Sequence, residues 1–302
     1  MATFLTLTIN GLALAAIFFL VSAGLSLIFG LMGVLNFAHG SFVLWGAYAW
    51  LAVFNSTNNF WLALLVATLV GAVLGALTER ILIRPLYQRP LTQILVTLGL
   101  GLVLGQVVVA IWGQSPQYFN AIAGLDATVH LGPVAIASYR LFVIALGVVI
   151  LAAVWALLRY TRIGLIVRAG VENPTMVEAL GINVGLVFLG VFALGAALAA
   201  LGGAVYAPYL SATTPEMGQS TLLFAIIVVV LGGLGSYVGS ALGALIIGLA
   251  QDYVPYYVSQ LQMLPASFDA SAASLISLVL LIAILLVRRE GLMGVKTESG
   301  GL

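Results

Sequence analysis

Cysteine is absent from this 302-residue chain, and charge is scarce: Asp, Glu, Lys and Arg together make up 6% of it. Without cysteine there are no disulfides, no thiolate metal sites and no cysteine nucleophile. A soluble domain is about a quarter charged, so this chain has too few polar groups to cover a water-facing surface. A net charge of +1 leaves no basic face for nucleic acid. The single lysine, Lys296, excludes a polybasic lipid clamp.

What is present is hydrocarbon. Hydrophobic residues make up 63% of the chain, and the mean hydropathy is +1.22. Such a surface is solvated by lipid over most of its area. The opening run "MATFLTLTINGLALAAIFFLVSAGLSLIFG" has no basic stretch before its apolar core, as a cleaved signal peptide would. It is expected to stay as a spanning helix of at least the ~20 residues needed.

Apolar runs at 5–29, 36–55, 61–83, 92–113, 140–158, 186–208, 221–237, 239–254 and 271–287 are the candidate spans. Gly-rich breaks separate the first two, and also 221–237 from 239–254. Each break is either a turn between helices or a discontinuity within one. The expected fold is therefore an all-α integral membrane protein with about eight or nine transmembrane helices, some broken at glycine. No linker or low-complexity tract divides it, so residues 1–302 are read as one transmembrane domain.

Of ten basic residues, only Arg140 lies outside three clusters: Arg80, Arg84 and Arg89; Arg159, Arg162 and Arg168; and Arg288, Arg289 and Lys296. Basic flanks mark the cytoplasmic side. That places 114–139, 209–220 and 255–270 outside, with Asp126, His130, Glu216 and Asp269, and the C-terminus inside. The external loop of about 113–139 contains "TVHLGPVAIAS", whose alternation suits a small strand pair. "FGLMG" followed by "GS" (29–33, 40–41) is echoed by "LGGLG" and "GS" (231–235, 239–240), as in transporters with internal repeats.

Charge gathers in the cytoplasmic loop of about 159–185. Asn173 suits a helix N-cap, Pro174 the first helical position, and Gly181 the left-handed stop. Between them Met176, Val177 and Leu180 form an apolar patch at helical spacing, beside Glu178 and Ala179. This is either a surface helix closing a long loop or a knob that docks a cytosolic partner in a groove.

Asn36 and His39 in "LNFAHGSF" are polar groups within an apolar run, next to Gly40 and Ser41. They either hydrogen-bond neighbouring helices or line a water-filled path, because lipid satisfies neither. Gly235, Gly239 and Gly243 recur every four residues and favour close helix packing; "ALGAALAALGG" (193–203) reads alike. Glu79 and Arg80 read as a local ion pair or interfacial snorkelling. Asp252 and Glu216 read as loop residues or as docking charges for a soluble partner. The tryptophans, most of them near span ends, read as interfacial anchors.

Four segments, in order, carry a resemblance: "GLMGVLNFAHGSFVLWGAY" (30–48), "RPLYQRPLTQILVTLGLGLVL" (84–104), "GLIVRAGVENPTMVEALGIN" (164–183) and "VVLGGLGSYVGSALGALIIGL" (229–249). Together they resemble the permease subunit of branched-chain amino acid ABC importers. Glu178-Ala179-Leu180-Gly181 is similar to the Glu-Ala-x-Gly core of that group's coupling loop. The resemblance departs at Ser41 and Phe42, where many relatives carry acidic or other polar residues.

The resemblance implies a bacterial inner-membrane protein that pairs with a second, homologous permease subunit, two cytosolic ATPase subunits and a periplasmic substrate-binding protein. It implies that ATP and Mg sit on the ATPase subunits and that this chain carries no cofactor, metal or catalytic residue. The sequence agrees, having no G-x-x-x-x-G-K-[ST] phosphate loop. It further implies that residues 173–181 couple to the ATPase, while Asn36, His39, Gly40 and Ser41 stand as candidates for the path on their own polarity. The cargo expected is a branched-chain or other apolar amino acid, with urea or a short amide as the alternative. A secondary transporter or channel acting alone would usually need mid-span carboxylates, which the runs lack.

Overall fold

Each apolar run is centred on a helix in the computed structural model, which describes residues 2–119, 122, 124, 125, 127–131, 134–260, 267–288 and 290–294. The order is α1 (Ala2–Met32), α2 (His39–Thr57), α3 (Phe60–Thr78), α4 (Pro90–Trp112), β1 (Thr128–Leu131), β2 (Val134–Ala137), α5 (Ser138–Tyr160), α6 (Arg162–Glu172), α7 (Pro174–Ala179), α8 (Val184–Leu210), α9 (Met217–Gly232), α10 (Tyr237–Gln260) and α11 (Ser267–Val287). A π-helical turn (Glu79–Ile83) and a 3-10 turn (Arg84–Leu86) continue α3. The strand pair is antiparallel, with Val129 opposite Ile136. Arg289, Lys296 and Asp126 lie outside the described residues, as do the side chains of His130 and Asp269.

Among the described residues, six helices are long and apolar enough to cross a bilayer: α1, α3 with its extension, α4, α5, α8 and α10. α9 and the 275–287 part of α11 are apolar but shorter. α2 has 19 residues, about 28 Å at ~1.5 Å rise per residue. Its side chains explain its place: Phe42, Leu44, Tyr48, Trp50 and Phe54 are buried around nearly its whole circumference, which puts a helix in the middle of a bundle.

Burial sorts the helices into layers. In its most apolar window α1 is 89% buried, against 11% for α4 and 17% for α5. The centre is α1, α2 and α8, with α3 and α10 packed on them. Small residues set the spacing. A Cβ on Gly24 of α1 would come 2.0 Å from the Gly195 carbonyl oxygen of α8, and one on Gly46 of α2 would come 2.1 Å from that of Ala200. Without a hydrophobic drive between helices in lipid, close backbone approach supplies the dispersion contact that holds them.

Successive helices run up and down, so two ends can be followed. At one, Gln117 and Thr213 exchange backbone hydrogen bonds, each 2.9 Å. There Arg140 donates to Asn10 and lies over the Tyr209 ring at 5.8 Å, and Thr8 bonds Tyr253 at 2.7 Å. At the other end lie Arg80, Arg84, Arg89, Arg159, Arg162, Arg168 and Arg288, at the helix termini facing away from Gln117. The two Gly-rich breaks meet there: a Cβ on Gly30 would lie 2.6 Å from the Gly235 carbonyl oxygen. Residues 290–294 are tied beneath α9, with Leu292 N–H donating to Leu231 at 2.9 Å.

Candidate functional site

The charged loop is built from two short helices joined by caps. Thr161 caps α6 by accepting from Gly164 N–H at 3.2 Å. Asn173 then serves two helices. Its N–H donates to Ala169 to close α6, and its Oδ1 accepts from Met176 N–H at 3.0 Å to open α7. Gly181 ends α7 with φ +80°. Its N–H donates to Glu178 and that of Ile182 to Val177, the double bond of a Schellman stop. Asn183 at once caps α8 through Leu186 N–H at 3.1 Å. Only Asn173 separates α6 from α7, and only residues 180–183 separate α7 from α8, each junction held by these caps.

The apolar patch expected on α7 is divided. Val177 is buried, while Met176 and Leu180 are 64% and 73% exposed. Residues 176 and 180 share one helix face and 177 lies round from them. Glu178, Ala179 and Gly181 are exposed. α7 is thus anchored by one valine and presents Met176, Leu180 and a carboxylate to the outside.

The second group sits where α1 turns into α2. Gly33, with φ +65°, ends α1, and the chain crosses to His39 without helix. Asn36 Oδ1 accepts from Ala38 N–H at 3.0 Å, and Phe37 N–H donates to Thr97 of α4 at 3.2 Å. His39 Nε2 lies 2.8 Å from the Val21 carbonyl oxygen. A carbonyl accepts only, so Nε2 carries a proton, and in the neutral ring Nδ1 is then a bare acceptor. That Nδ1 and Asn36 Nδ2 are buried with no protein partner. Ser41 donates to the Gly101 carbonyl at 2.9 Å. Gly40 packs against Gly218 of α9, whose carbonyl oxygen a Cβ would meet at 2.2 Å.

The three spaced glycines divide between two partners. Gly239 and Gly243 close on Gly232 and Val228 of α9, while Gly235 lies in the turn before α10 and meets Gly30. Trp50 departs from the interfacial reading: it is fully buried, stacked on Phe54 at 4.8 Å.

Two features were missed in the sequence. α6 was legible: Thr161 is a cap, and Ile163, Ile166 and Val167 keep helical spacing. The pairing of Glu79 was not. Glu79 is fully buried and takes the Tyr87 hydroxyl rather than Arg80. The π-helical turn and Pro85 set this eight-residue contact. Burial, followed by the bond to Glu79, pushes the Tyr87 hydroxyl far above its ordinary range. It therefore stays protonated and donating.

A lipid-facing bundle threaded by small-residue contacts, broken twice at glycine and carrying an exposed capped loop helix, is a polytopic membrane protein. The chain belongs to the family described as branched-chain amino acid transport system / permease component, whose model matches residues 7–285. It is similar to the high-affinity branched-chain amino acid transport system permease protein LivH of Escherichia coli, 28% identical over 96% of this chain and 96% of that protein. The corresponding BraD of Pseudomonas aeruginosa is 25% identical over 95% and 94%. The ribose import permease protein RbsC of Escherichia coli is 33% identical over 63% of this chain and 60% of its own. No solved structure matches the chain.

Proposed function

We propose that this chain is the membrane-spanning subunit of an ATP-driven ABC importer of the bacterial inner membrane, moving branched-chain or other apolar amino acids inward. The observation that carries the reading is the α6–α7–α8 lever. Its knob, with Met176, Glu178 and Leu180 exposed, feeds through the short 180–183 turn into α8, the helix packed between α1, α2 and α3. A second, homologous permease subunit, two cytosolic ATPase subunits that bind ATP and Mg, and a periplasmic binding protein complete the machine. Residues 1–302 act as one domain with about eight or nine crossings, α2 and α9 included, the arginine-bearing end and the C-terminus facing the cytosol.

ATP binding closes the ATPase pair and moves α7; α8 follows, and the packed centre turns outward to take cargo. At the α1–α2 break, the free Asn36 amide suits the carboxylate of an amino acid and the bare His39 Nδ1 its ammonium. Both are sealed in this conformation, as a closed path requires. The same neutral donor and acceptor fit urea or a short amide, the second reading. Co-purification tests the coupling: Glu178→Arg is expected to lose the ATPase subunits while keeping the partner permease. Wild-type ATPase association and transport in that variant would end this reading.

A further inference from the structure

A groove of about 340 Å³ opens at the arginine-bearing end between α1, α5, α6 and α8, within the ~300–1,000 Å³ of ligand sites. Its walls are aliphatic throughout, including Leu31, Leu158, Ile163, Val167 and Leu186. Gly190 forms part of the α8 wall, and a Cβ there would meet nothing within 4 Å. One turn and a half further on, Gly195 is jammed against Ile28 and Gly24. The chain therefore leaves this hollow open where it closes its neighbour.

The rim is basic. Arg168 donates to the carbonyl of Leu158, a wall residue. Arg159 follows Leu158, and Arg162 adjoins the wall residue Ile163. All three arginines are exposed. Trp155 and Tyr160, 41% and 72% exposed with ring centroids 5.3 Å apart, mark the headgroup level beside the groove. α6 lines the groove with Ile163, Ile166 and Val167, an apolar face such as a helix lying in the membrane interface carries.

We propose that the groove binds one acyl chain of an anionic phospholipid whose phosphate is held by Arg159, Arg162 and Arg168. Composition excluded a clamp of lysines; the fold gathers arginines in its place. Arginine suits the task, since its planar fork meets phosphate oxygens bidentately. Because α6 is the first link of the lever, the lipid braces α6 against α1 and α8. The proposal rests on the membrane placement alone and is independent of what the permease carries.

Native mass spectrometry of the purified full chain, offered phosphatidylglycerol or phosphatidylcholine of identical acyl chains, tests it. Wild type is expected to retain one phosphatidylglycerol under activation that strips phosphatidylcholine. Replacing Arg159, Arg162 and Arg168 by glutamine should erode that preference about fivefold for each arginine. Gly190→Leu, with open space to fill, should cut retention of both lipids at least about tenfold while leaving the thermal melt unchanged. Should that variant melt early, Val187→Phe tests the same wall. Equal retention of the two lipids by wild type, or wild-type retention by both wall variants, would overturn the proposal. So would a lipid-free dimer that dissociates on Gly190→Leu, which would assign the groove to a second copy.

Discussion

Glu79 has one carboxylate oxygen on the Tyr87 hydroxyl and the other buried with no protein partner. A buried polar group stripped of its partner costs about 1–3 kcal/mol, more when charged. Tyr87→Phe is therefore expected to lower thermal stability in detergent by at least that amount. Glu79→Gln in the Tyr87→Phe background should recover part of it, because a neutral amide is less costly to bury. Equal melting of Tyr87→Phe and wild type would mean that water or lipid already satisfies the carboxylate. This pairing was unreadable in the sequence, because an α-helical path would have aimed Glu79 elsewhere. Asn36 and His39 were recognisable as polar groups needing partners. That one nitrogen of each would be left over depends on where Val21 and Ala38 lie.

Helix–helix contacts predict opposite fates for glycines of similar sequence context. Gly24→Ala drives a methyl into the Gly195 carbonyl and should destabilise α1 against α8 by about 1–3 kcal/mol. Gly99 and Gly105 of α4 meet nothing within 4 Å, so alanine there should be neutral or stabilise by up to about 1 kcal/mol. Melting temperatures of the three variants check the contrast. The short α7 depends on its caps: Asn173→Ala should weaken it by about 0.5–2 kcal/mol, read as faster amide exchange at Met176 and Val177. The caps of α6, α7 and α8 could all be read locally, since each acts within four residues. The partner of a glycine could not, because a helix shows its small residues in sequence but not the face that meets them.

For the molecule as a whole, the absence of cysteine permits a clean topology test. Single cysteines at Thr57 or Ser115 lie at the end bearing Gln117, and those at Thr175 or Glu290 at the arginine-bearing end; all four positions are exposed. A membrane-impermeant maleimide added to intact cells should label the first pair directly and the second only after permeabilisation. Labelling of Ser115 and Thr175 from the same side would refute the orientation. The basic clusters pointed to this arrangement because positive charge resists translocation regardless of packing.

The sequence by itself determined that lipid is the solvent, that the spanning elements are helices, and where the Gly-rich breaks and the α7 caps fall, since those depend on local chemistry and on hydrocarbon length. Tertiary structure alone decided that α2 is central and α4 peripheral, that Glu79 pairs with Tyr87, and that a hollow opens beside Arg168. The spanning helices are apolar on all sides, so periodicity gives them no inward face. Only shape, through close backbone approach, chooses the neighbour.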